Sequence, residues 1–377
     1  MYQIMTAGPT QVRENVRMAR SLECTNPDLD PAFFDFYKET CELLSKAVNT
    51  ENKALILGGE GILGLEAACA SLTEAGDRVL VIDNGVFGKG FADFAKMYGA
   101  ETVAYVSDYR KTLDLTELEE FLKNDSDFKY ATVVHCDTPS GMLNDVEAIS
   151  KLLDKYGIMT VADSVAGLFG EPLNLSNSSI DILCGGSQKA LSCPPGLTML
   201  WVSDRAFGAM ENRKTPIAAF YANILNFKNY YENQVFPYTM PISDIYGLRA
   251  ALDNFFEMKD TTYIRHKKIA QATRNAVREC GLEVFTEEGS CSATVTAIAV
   301  PDGITDKEIC IGMREDYNIM ISDCFDVLAG KIVRIGHMGE NAHEEKVAAT
   351  LAALQGVLQN KGVELKGNLE EAFYRNL

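Results

Sequence analysis

Length, composition and charge narrow the classes of protein that this chain can form. At 377 residues, of which 47% are hydrophobic, it is long enough for a two-domain α/β protein with a large core. The net charge of −18 argues against nucleic-acid binding, and no apolar run approaches the roughly 20 residues that cross a bilayer. Ten cysteines without CxxC or CxxH spacing predict neither disulfides nor a metal site, and the start is not signal-like, so we expect a cytoplasmic protein.

The first predicted elements are a turn, a helix and a strand–turn–helix unit. Gly8 and Pro9 predict a turn, and apolar residues at helical spacing predict an amphipathic helix over 31–47. Residues 53–68 follow as a strand, a glycine turn and a helix. Backbone N–H groups at such a helix start suit a phosphate. The glycines there also resemble a dinucleotide fingerprint, but a lone match of this kind is weak.

The next strands end in residues that could contact a ligand. Phe87 follows the strand that ends near Asp83, Thr138 follows the buried strand from Tyr130, and Asp163 ends another. Strands and helices alternate from 53 to 200, which predicts a mostly parallel sheet whose ligands gather at the carboxyl ends of the strands. We therefore expect these three side chains to converge. His135, inside an apolar run, is interpreted as a core residue.

A single lysine stands out in the stretch that follows. Residues 181–196 begin as an apolar strand, break at two glycines, present Lys189 and close with Pro-Pro-Gly. A lysine held on a tight turn is a candidate Schiff-base nucleophile. Asp163 precedes it by 26 residues. Pyridoxal phosphate (PLP) requires this pair, an imine-forming amine and an anion for its ring nitrogen.

The carboxyl-terminal part is predicted as a linking helix and a smaller α+β domain. Arg334 lies inside an apolar strand and needs an anionic partner. A substrate carboxylate suits its guanidinium, and a structural salt bridge is the alternative. The expected divisions are an amino-terminal segment at 1–15, a large domain at 16–242, a linking helix at 243–259 and a small domain at 260–377.

The runs "ADSVAGLFG" and "GGSQKALSCPPGL" resemble the class V, fold type I PLP-dependent aminotransferases. The likeness extends over nearly the whole chain and is greatest to the alanine–glyoxylate and serine–glyoxylate (serine–pyruvate) branch. It implies an α/β large domain with a mostly parallel seven-stranded sheet and a smaller carboxyl-terminal α+β domain. It also implies a homodimer that shares its active sites.

The resemblance assigns roles to individual residues. Lys189 would bind PLP and act as acid and base, and Asp163 would face the ring nitrogen. The other implied cofactor contacts are Phe87 stacked on the ring, Thr138 near the ring oxygen, Val165, Gln188, the phosphate-binding residues Glu60, Gly61 and Ile62, and Thr239 from the neighbouring subunit. Gly8 would lie across the substrate entrance, and Arg334 would bind the substrate carboxylate.

Two positions depart from the family pattern. Glu60 stands where the family commonly has a small hydroxyl residue. Because a carboxylate beside a phosphate is unfavourable, we expect its side chain to point away. Phe236 stands where a tyrosine is often found, so a hydroxyl contact is either missing or supplied by Tyr238.

The resemblance implies a ping-pong transaminase that moves an amino group from a small amino acid, of the alanine or serine type, to glyoxylate or pyruvate. Other branches remain open, namely 2-aminoethylphosphonate–pyruvate, ureidoglycine–glyoxylate and pyridoxamine–pyruvate aminotransferases. A cysteine desulfurase using Cys324 is disfavoured, because Gln188 and Phe87 stand where those enzymes carry histidine. A non-catalytic PLP-binding protein is a further alternative.

Overall fold

A computed structural model describes residues 2–377, with a seven-stranded sheet at its centre. The strands are β1 (Gln3–Ile4), β2 (Lys53–Gly58), β3 (Arg78–Asp83), β4 (Glu101–Val106), β5 (Tyr130–Val134), β6 (Cys136–Asp137), β7 (Met142–Leu143), β8 (Met159–Asp163), β9 (Ile182–Gly186), β10 (Leu197–Val202), β11 (Thr296–Ala299), β12 (Ile319–Met320) and β13 (Ile332–Ile335). The central sheet has the order β2-β10-β9-β8-β5-β3-β4, and only β10 runs antiparallel to its neighbours. The predicted fold class is therefore confirmed.

Helices flank this sheet and build the carboxyl-terminal part. They are α1 (Glu14–Ala19), α2 (Pro31–Ala47), α3 (Gly61–Leu72), α4 (Val86–Met97), α5 (Leu115–Asn124), α6 (Val146–Lys155), α7 (Asp204–Glu211), α8 (Tyr230–Asn233), α9 (Ile242–Glu257), α10 (Lys259–Glu279), α11 (Asp306–Tyr317), α12 (Glu344–Asn360) and α13 (Leu369–Asn376). Helix α3 packs on β9 and β10, α4 on β3, and α6 on β8. Between residues 2 and 377, no helix is long and apolar enough to cross a membrane.

Local chemistry explains where several helices begin. The Asp30 carboxylate accepts a hydrogen bond from the backbone N–H of Ala32, and Pro31 occupies the first helical position of α2. A carboxylate cap and an initial proline both favour a helix start at this point. The same pattern, a capping acid before an apolar face, opens α5 at Asp114 and α6 at Asp145.

Strand β5 and strands β8 to β10 are buried along their whole length. Strands covered on both faces lose polar alternation, which is why their sequences are continuous apolar runs. A second apolar cluster joins helices α10 to α13 with strands β11 to β13. Met5 belongs to that second cluster, since β1 pairs in parallel with β12 and ties the amino-terminal segment to the carboxyl-terminal part.

Candidate active site

A cavity of about 220 Å³ lies at the carboxyl ends of the central strands. Its walls come from the turn after β2 with the start of α3, the first turn of α4, strand β6 and the turn after it, the end of β8, and the turn after β9. Eight of the residues predicted from the sequence line it together with Leu65, Cys136 and Ala166; the eight are Glu60, Gly61, Ile62, Phe87, Thr138, Asp163, Val165 and Lys189. The predicted convergence at one edge of the sheet is therefore present in the structure.

Asp163 ends β8 with its carboxylate directed to this cavity. One carboxylate oxygen accepts a hydrogen bond of 2.8 Å from the backbone N–H of Val165. Burial raises the pKa of Asp163 to about 7, against the lowering effects of that hydrogen bond and of the Lys189 charge. A buried carboxylate with so little compensation favours a protonated ring nitrogen as partner.

Lys189 is fixed in a short turn after β9. The backbone N–H of Ser192 donates to the Lys189 carbonyl at 2.9 Å, and the Ser187 hydroxyl donates to the Pro194 carbonyl at 2.7 Å. The lysine ammonium donates to the Ala7 carbonyl at 2.6 Å. Burial, and then the charge of Arg334, lower the pKa of Lys189 to about 8, which enlarges the fraction of neutral, nucleophilic amine near neutral pH.

The amino-terminal segment passes directly over this lysine. Gly8 has φ +104°, and a Cβ atom there would lie 2.5 Å from Lys189 Nζ and 2.7 Å from Cε. The positive φ angle therefore favours glycine, and any side chain there would displace the flexible end of Lys189. Gly8 thus lies beside Lys189, and its place across the substrate entrance and its contact with substrate stay predictions.

Phe87 and Thr138 are positioned by a residue that sequence reasoning missed. Asp137 is fully buried, and its carboxylate accepts from the Phe87 backbone N–H at 3.1 Å and from the Ser140 hydroxyl at 2.8 Å. It thereby joins the first turn of α4 to the turn that carries Thr138. Its place directly before Thr138 at the end of an apolar run was the available signal.

Arg334 projects from β13 and is buried, but it does not line the cavity of Lys189. Its Nε donates to the Asp323 carbonyl at 3.0 Å, and the ring of Phe325 lies 5.7 Å from the guanidinium carbon. Within residues 2–377, its hydrogen-bond acceptors are carbonyl oxygens, and it forms no salt bridge with a carboxylate. The salt-bridge alternative is thus not realised there, and the charge can still receive an anion.

The expectation that the Glu60 side chain points away is wrong. Its carboxylate lines the cavity and accepts from the Ile62 backbone N–H at 3.0 Å, capping α3, while its other oxygen accepts from the Gln188 side chain. The reason is that the first N–H groups of a helix have no partner within it, and a carboxylate one residue before the helix is a strong acceptor. Gln188, which was predicted to contact the cofactor, contacts Glu60.

Three other predicted positions lie away from this cavity. Thr239 is exposed and donates to the Asp28 carboxylate at 2.8 Å, so its contact with the cofactor of a neighbouring subunit stays a prediction. Phe236 stacks on Phe34 with 4.5 Å between ring centroids, and the Tyr238 hydroxyl accepts from the Gly58 backbone N–H at 3.2 Å. A missing hydroxyl at Phe236 is therefore explained by its place in an aromatic cluster.

The remaining candidate side chains are buried. Cys324 packs among Val86, Leu328 and Ile332, and burial raises the pKa of its thiol. His135 is bonded to Ser164, and burial lowers its pKa to about 4. His337, 2.8 Å from the Thr296 hydroxyl, has its pKa lowered to about 3 by burial. Cys324 lies among apolar side chains, and the two histidines already have hydrogen-bond partners. Their surroundings disfavour all three as reacting groups.

A turn lysine with a lowered pKa, a strand-end carboxylate and an aromatic ring around one cavity define a pyridoxal-dependent transferase site. We call Asp163, Phe87 and Lys189 the ring end of the cavity, and Glu60, Gly61 and Ile62 the turn end. The ring end fits the pyridine ring of PLP. The turn end fits a phosphate less well, because the Glu60 carboxylate already occupies a backbone donor of the helix start.

Comparison with known proteins agrees with this description. Residues 26–357 match the family model of aminotransferase class-V, and the chain belongs to this family of PLP-dependent enzymes. It is 35% identical over 365 residues to a pyridoxamine–pyruvate transaminase of Mesorhizobium japonicum, covering 96% of this chain and 92% of the relative. It is 31% identical to an alanine–glyoxylate aminotransferase of Callithrix jacchus, covering 86% of this chain and 81% of the relative.

Solved structures give the same result. The crystal structure of ureidoglycine–glyoxylate aminotransferase from Bacillus subtilis has a TM-score of 0.95 at 28% identity, covering all of this chain and 98% of that one. The protein is thus an aminotransferase with a fold type I architecture. The names of its relatives span several amino donors and acceptors.

Proposed function

We propose that this chain moves an amino group from a small amino acid, of the alanine or serine type, to glyoxylate or pyruvate in two half-reactions. In each half-reaction an amino group on one molecule and a carbonyl oxygen on the other change places. The oxidation of one carbon is balanced by the reduction of the other, so no outside oxidant is required. The observation that carries the proposal is that Lys189 and Asp163 line one cavity, with the lysine pKa lowered to about 8.

Each residue has a distinct part in this reaction. The pyridoxal ring, when bound, supplies the sink for the electrons released at the substrate Cα. Lys189 would hold the ring through its side-chain amine, and the same amine, when free, would act as the acid and base that moves the substrate Cα proton. Asp163 would keep a proton on the ring nitrogen, Phe87 would pack against the ring, and Arg334 would bind the substrate carboxylate.

The test is an amino-donor screen with glyoxylate and with pyruvate as acceptors, supplying pyridoxal and PLP in parallel. We expect 2-oxo acid formation from alanine or serine with the wild-type protein and none with Lys189→Ala. Lys96→Ala, at an exposed position on α4, is the matched control and should keep full turnover. A wild-type protein that transfers no amino group from any donor would refute the proposal and favour a non-catalytic binding protein.

One other branch has a specific observation in its favour. Glu60 at the turn end favours pyridoxamine as amino donor, the donor for which the Mesorhizobium relative is named. Pyridoxamine therefore belongs in the donor screen, with pyruvate as acceptor. Aminoethylphosphonate and ureidoglycine complete the screen, although no contact in this chain favours them.

The desulfurase alternative is opposed by the burial of Cys324, since a thiol that attacks substrate must be accessible and readily ionised. Sulfide release from cysteine that Cys324→Ser abolishes would restore that alternative.

We also propose a cytoplasmic homodimer with shared active sites, on the strength of the family relationship alone. Thr239 is exposed, and its hydroxyl donates to Asp28 of the same chain, so in such a dimer this hydrogen bond would have to be exchanged for one with the cofactor. Sedimentation equilibrium is the test, with a mass of twice 41.4 kDa expected and a monomer contradicting it.

A further inference from the structure

The Glu60 side chain is held at the turn end by contacts on both of its carboxylate oxygens. One oxygen accepts from the Ile62 N–H at 3.0 Å, and the other accepts from the Gln188 amide. The Glu60 carbonyl is tied as well, accepting from the Thr198 hydroxyl at 2.8 Å. Gln188 is itself buried, and it directly precedes Lys189 in the fixed turn. The carboxylate is therefore part of the cavity wall.

The backbone around Glu60 leaves little room for the turn to rearrange. A Cβ atom on Gly61 would lie 2.9 Å from a methyl carbon of Val165, so the turn is packed directly against the strand-end segment after Asp163. The Leu63 N–H donates to the Glu60 carbonyl at 2.8 Å. Two of the first backbone donors of α3, those of Ile62 and Leu63, are thus used by Glu60 itself.

A phosphate group at this place would meet two penalties. It would compete with the Glu60 carboxylate for the Ile62 donor, and it would bring a second negative charge beside the first. Two unit charges about 4 Å apart at an effective dielectric constant of about 20 repel by enough to weaken binding roughly 10³-fold. Because Glu60 is exposed, solvent screening reduces this factor, and we expect about 10-fold or more.

An unphosphorylated ring compound meets neither penalty. Pyridoxal and pyridoxamine carry a neutral hydroxymethyl group where PLP carries its phosphate ester. A hydroxyl can donate a hydrogen bond to a carboxylate, whereas an ionised phosphate offers acceptors only. Glu60 therefore discriminates between the hydroxymethyl and the phosphate ester both by charge and by hydrogen-bond direction. The ring end contacts the part of the molecule that the two compounds share.

We infer that Glu60 makes this site select unphosphorylated pyridoxal and pyridoxamine over their phosphate esters. The inference rests on the proposed transamination and names the form of the ring compound that takes part in it, including pyridoxamine as an amino donor to pyruvate. In that reaction the CH₂–NH₂ carbon of pyridoxamine is oxidised to the aldehyde of pyridoxal. The carbonyl carbon of pyruvate is reduced to the Cα of alanine, and nitrogen and oxygen change places between the two molecules. Pyridoxamine is therefore the reductant and pyruvate the oxidant, and no further reactant is required.

The experiment measures dissociation constants of pyridoxal and of PLP separately, from the visible absorbance that each gives when bound to Lys189. The wild-type protein should bind pyridoxal at least 10-fold more tightly than PLP. Glu60→Ser should reverse the preference, and Glu60→Gln, which removes the charge and keeps the size, should tighten PLP about 10-fold while changing pyridoxal less than about 3-fold. Glu66→Gln, within α3 and accepting a hydrogen bond from the Tyr98 hydroxyl, is the matched control and should change neither constant.

The inference is overturned if wild-type protein binds PLP as tightly as pyridoxal, or if both Glu60 variants leave the ratio of the two constants unchanged. Its failure is distinguishable from failure of the proposed function. Turnover of alanine and pyruvate with tightly bound PLP would keep the transaminase and refute the selectivity. Selective pyridoxal binding without amino transfer to any oxo acid would keep the selectivity and refute the transaminase.

Discussion

The two ends of one cavity are prepared for a ligand in opposite ways. At the ring end, burial raises the pKa of Asp163 to about 7 and lowers that of Lys189 to about 8. Burial therefore disfavours the charged form of both groups. At the turn end, the Glu60 carboxylate already satisfies the Ile62 donor. The ring end gains stability when a ligand supplies the missing partners, whereas the turn end must lose a hydrogen bond to accept an anion.

Removing the lysine would abolish the function of the ring end. We expect Lys189→Ala to lose the visible absorbance of bound pyridoxal and to lower turnover by about 10⁴-fold or more, because both attachment and proton transfer depend on the amine. Absorbance titration and a 2-oxo acid assay check this result. Retained colour with retained turnover would show that another amine performs the reaction.

Replacing the carboxylate should separate stability from activity. Asp163→Asn would break a buried ion pair with the ring nitrogen, worth about 3–5 kcal/mol, and slow turnover roughly 10²- to 10³-fold. The folded-state pKa of Asp163 is raised, so the ring-free protein binds more protons than the unfolded chain, and its stability falls as pH rises from about 4 to about 7.

The same Asp163→Asn variant should therefore melt at a higher temperature than wild type when both are ring-free at pH 8. Scanning calorimetry without added vitamer measures this difference. An equal or lower melting temperature would mean that the carboxylate is better compensated than its burial indicates.

Arg334→Lys tests where the substrate carboxylate binds. A lysine keeps the charge but loses the forked pair of donors, so we expect KM for the amino acid to rise about 10- to 100-fold with a smaller change in kcat. Arg375→Lys, whose side chain pairs with Glu279 on the surface, is the control and should leave KM unchanged. A fall in kcat at constant KM would contradict the assignment.

Pyridoxal capture should depend on pH through Lys189. The neutral amine is the reactive form, and its pKa is lowered to about 8. The capture rate should therefore rise about tenfold per pH unit below 8 and level off above it, whereas an ordinary lysine would level off only near about 10.4. Stopped-flow absorbance across pH 6 to 10 would show which midpoint applies.

The smallest effect is expected at Cys324. Because its thiol is buried against Val86 and Leu328, Cys324→Ser should change amino transfer by less than about 3-fold. A variant that loses amino transfer while remaining folded would place this thiol in the reaction.

Sequence reasoning could predict what periodicity and turn chemistry determine locally. Helix α2 was predicted over the residues that it occupies, since Asp30, Pro31 and a regular apolar stripe define it. The ring end was predicted because strand ends in a parallel sheet meet at one edge. Helix α13 was not predicted, because such a short element depends on partners distant in sequence.

The orientation of Glu60 could not be read from the sequence for a similar reason. Repulsion from a phosphate and attraction to free helix donors act in opposite directions on the same side chain. Which prevails depends on a partner 128 positions away, the amide of Gln188, and only the folded chain brings that amide to the turn. The contact of Asp137 with Phe87, across 50 positions, was missed on the same account.

The carbonyl of Ala7 links the two ends of the polypeptide to the reacting amine. Strand β1 is anchored on β12, three residues before Ala7 accepts the Lys189 ammonium. Because three residues of extended chain span at most about 10 Å, we expect a displacement of the carboxyl-terminal part to alter the contact of Ala7 with Lys189. A purification tag attached ahead of Tyr2 would extend the chain directly before β1. We therefore expect an amino-terminal tag to disturb the position of Lys189 more than a carboxyl-terminal one.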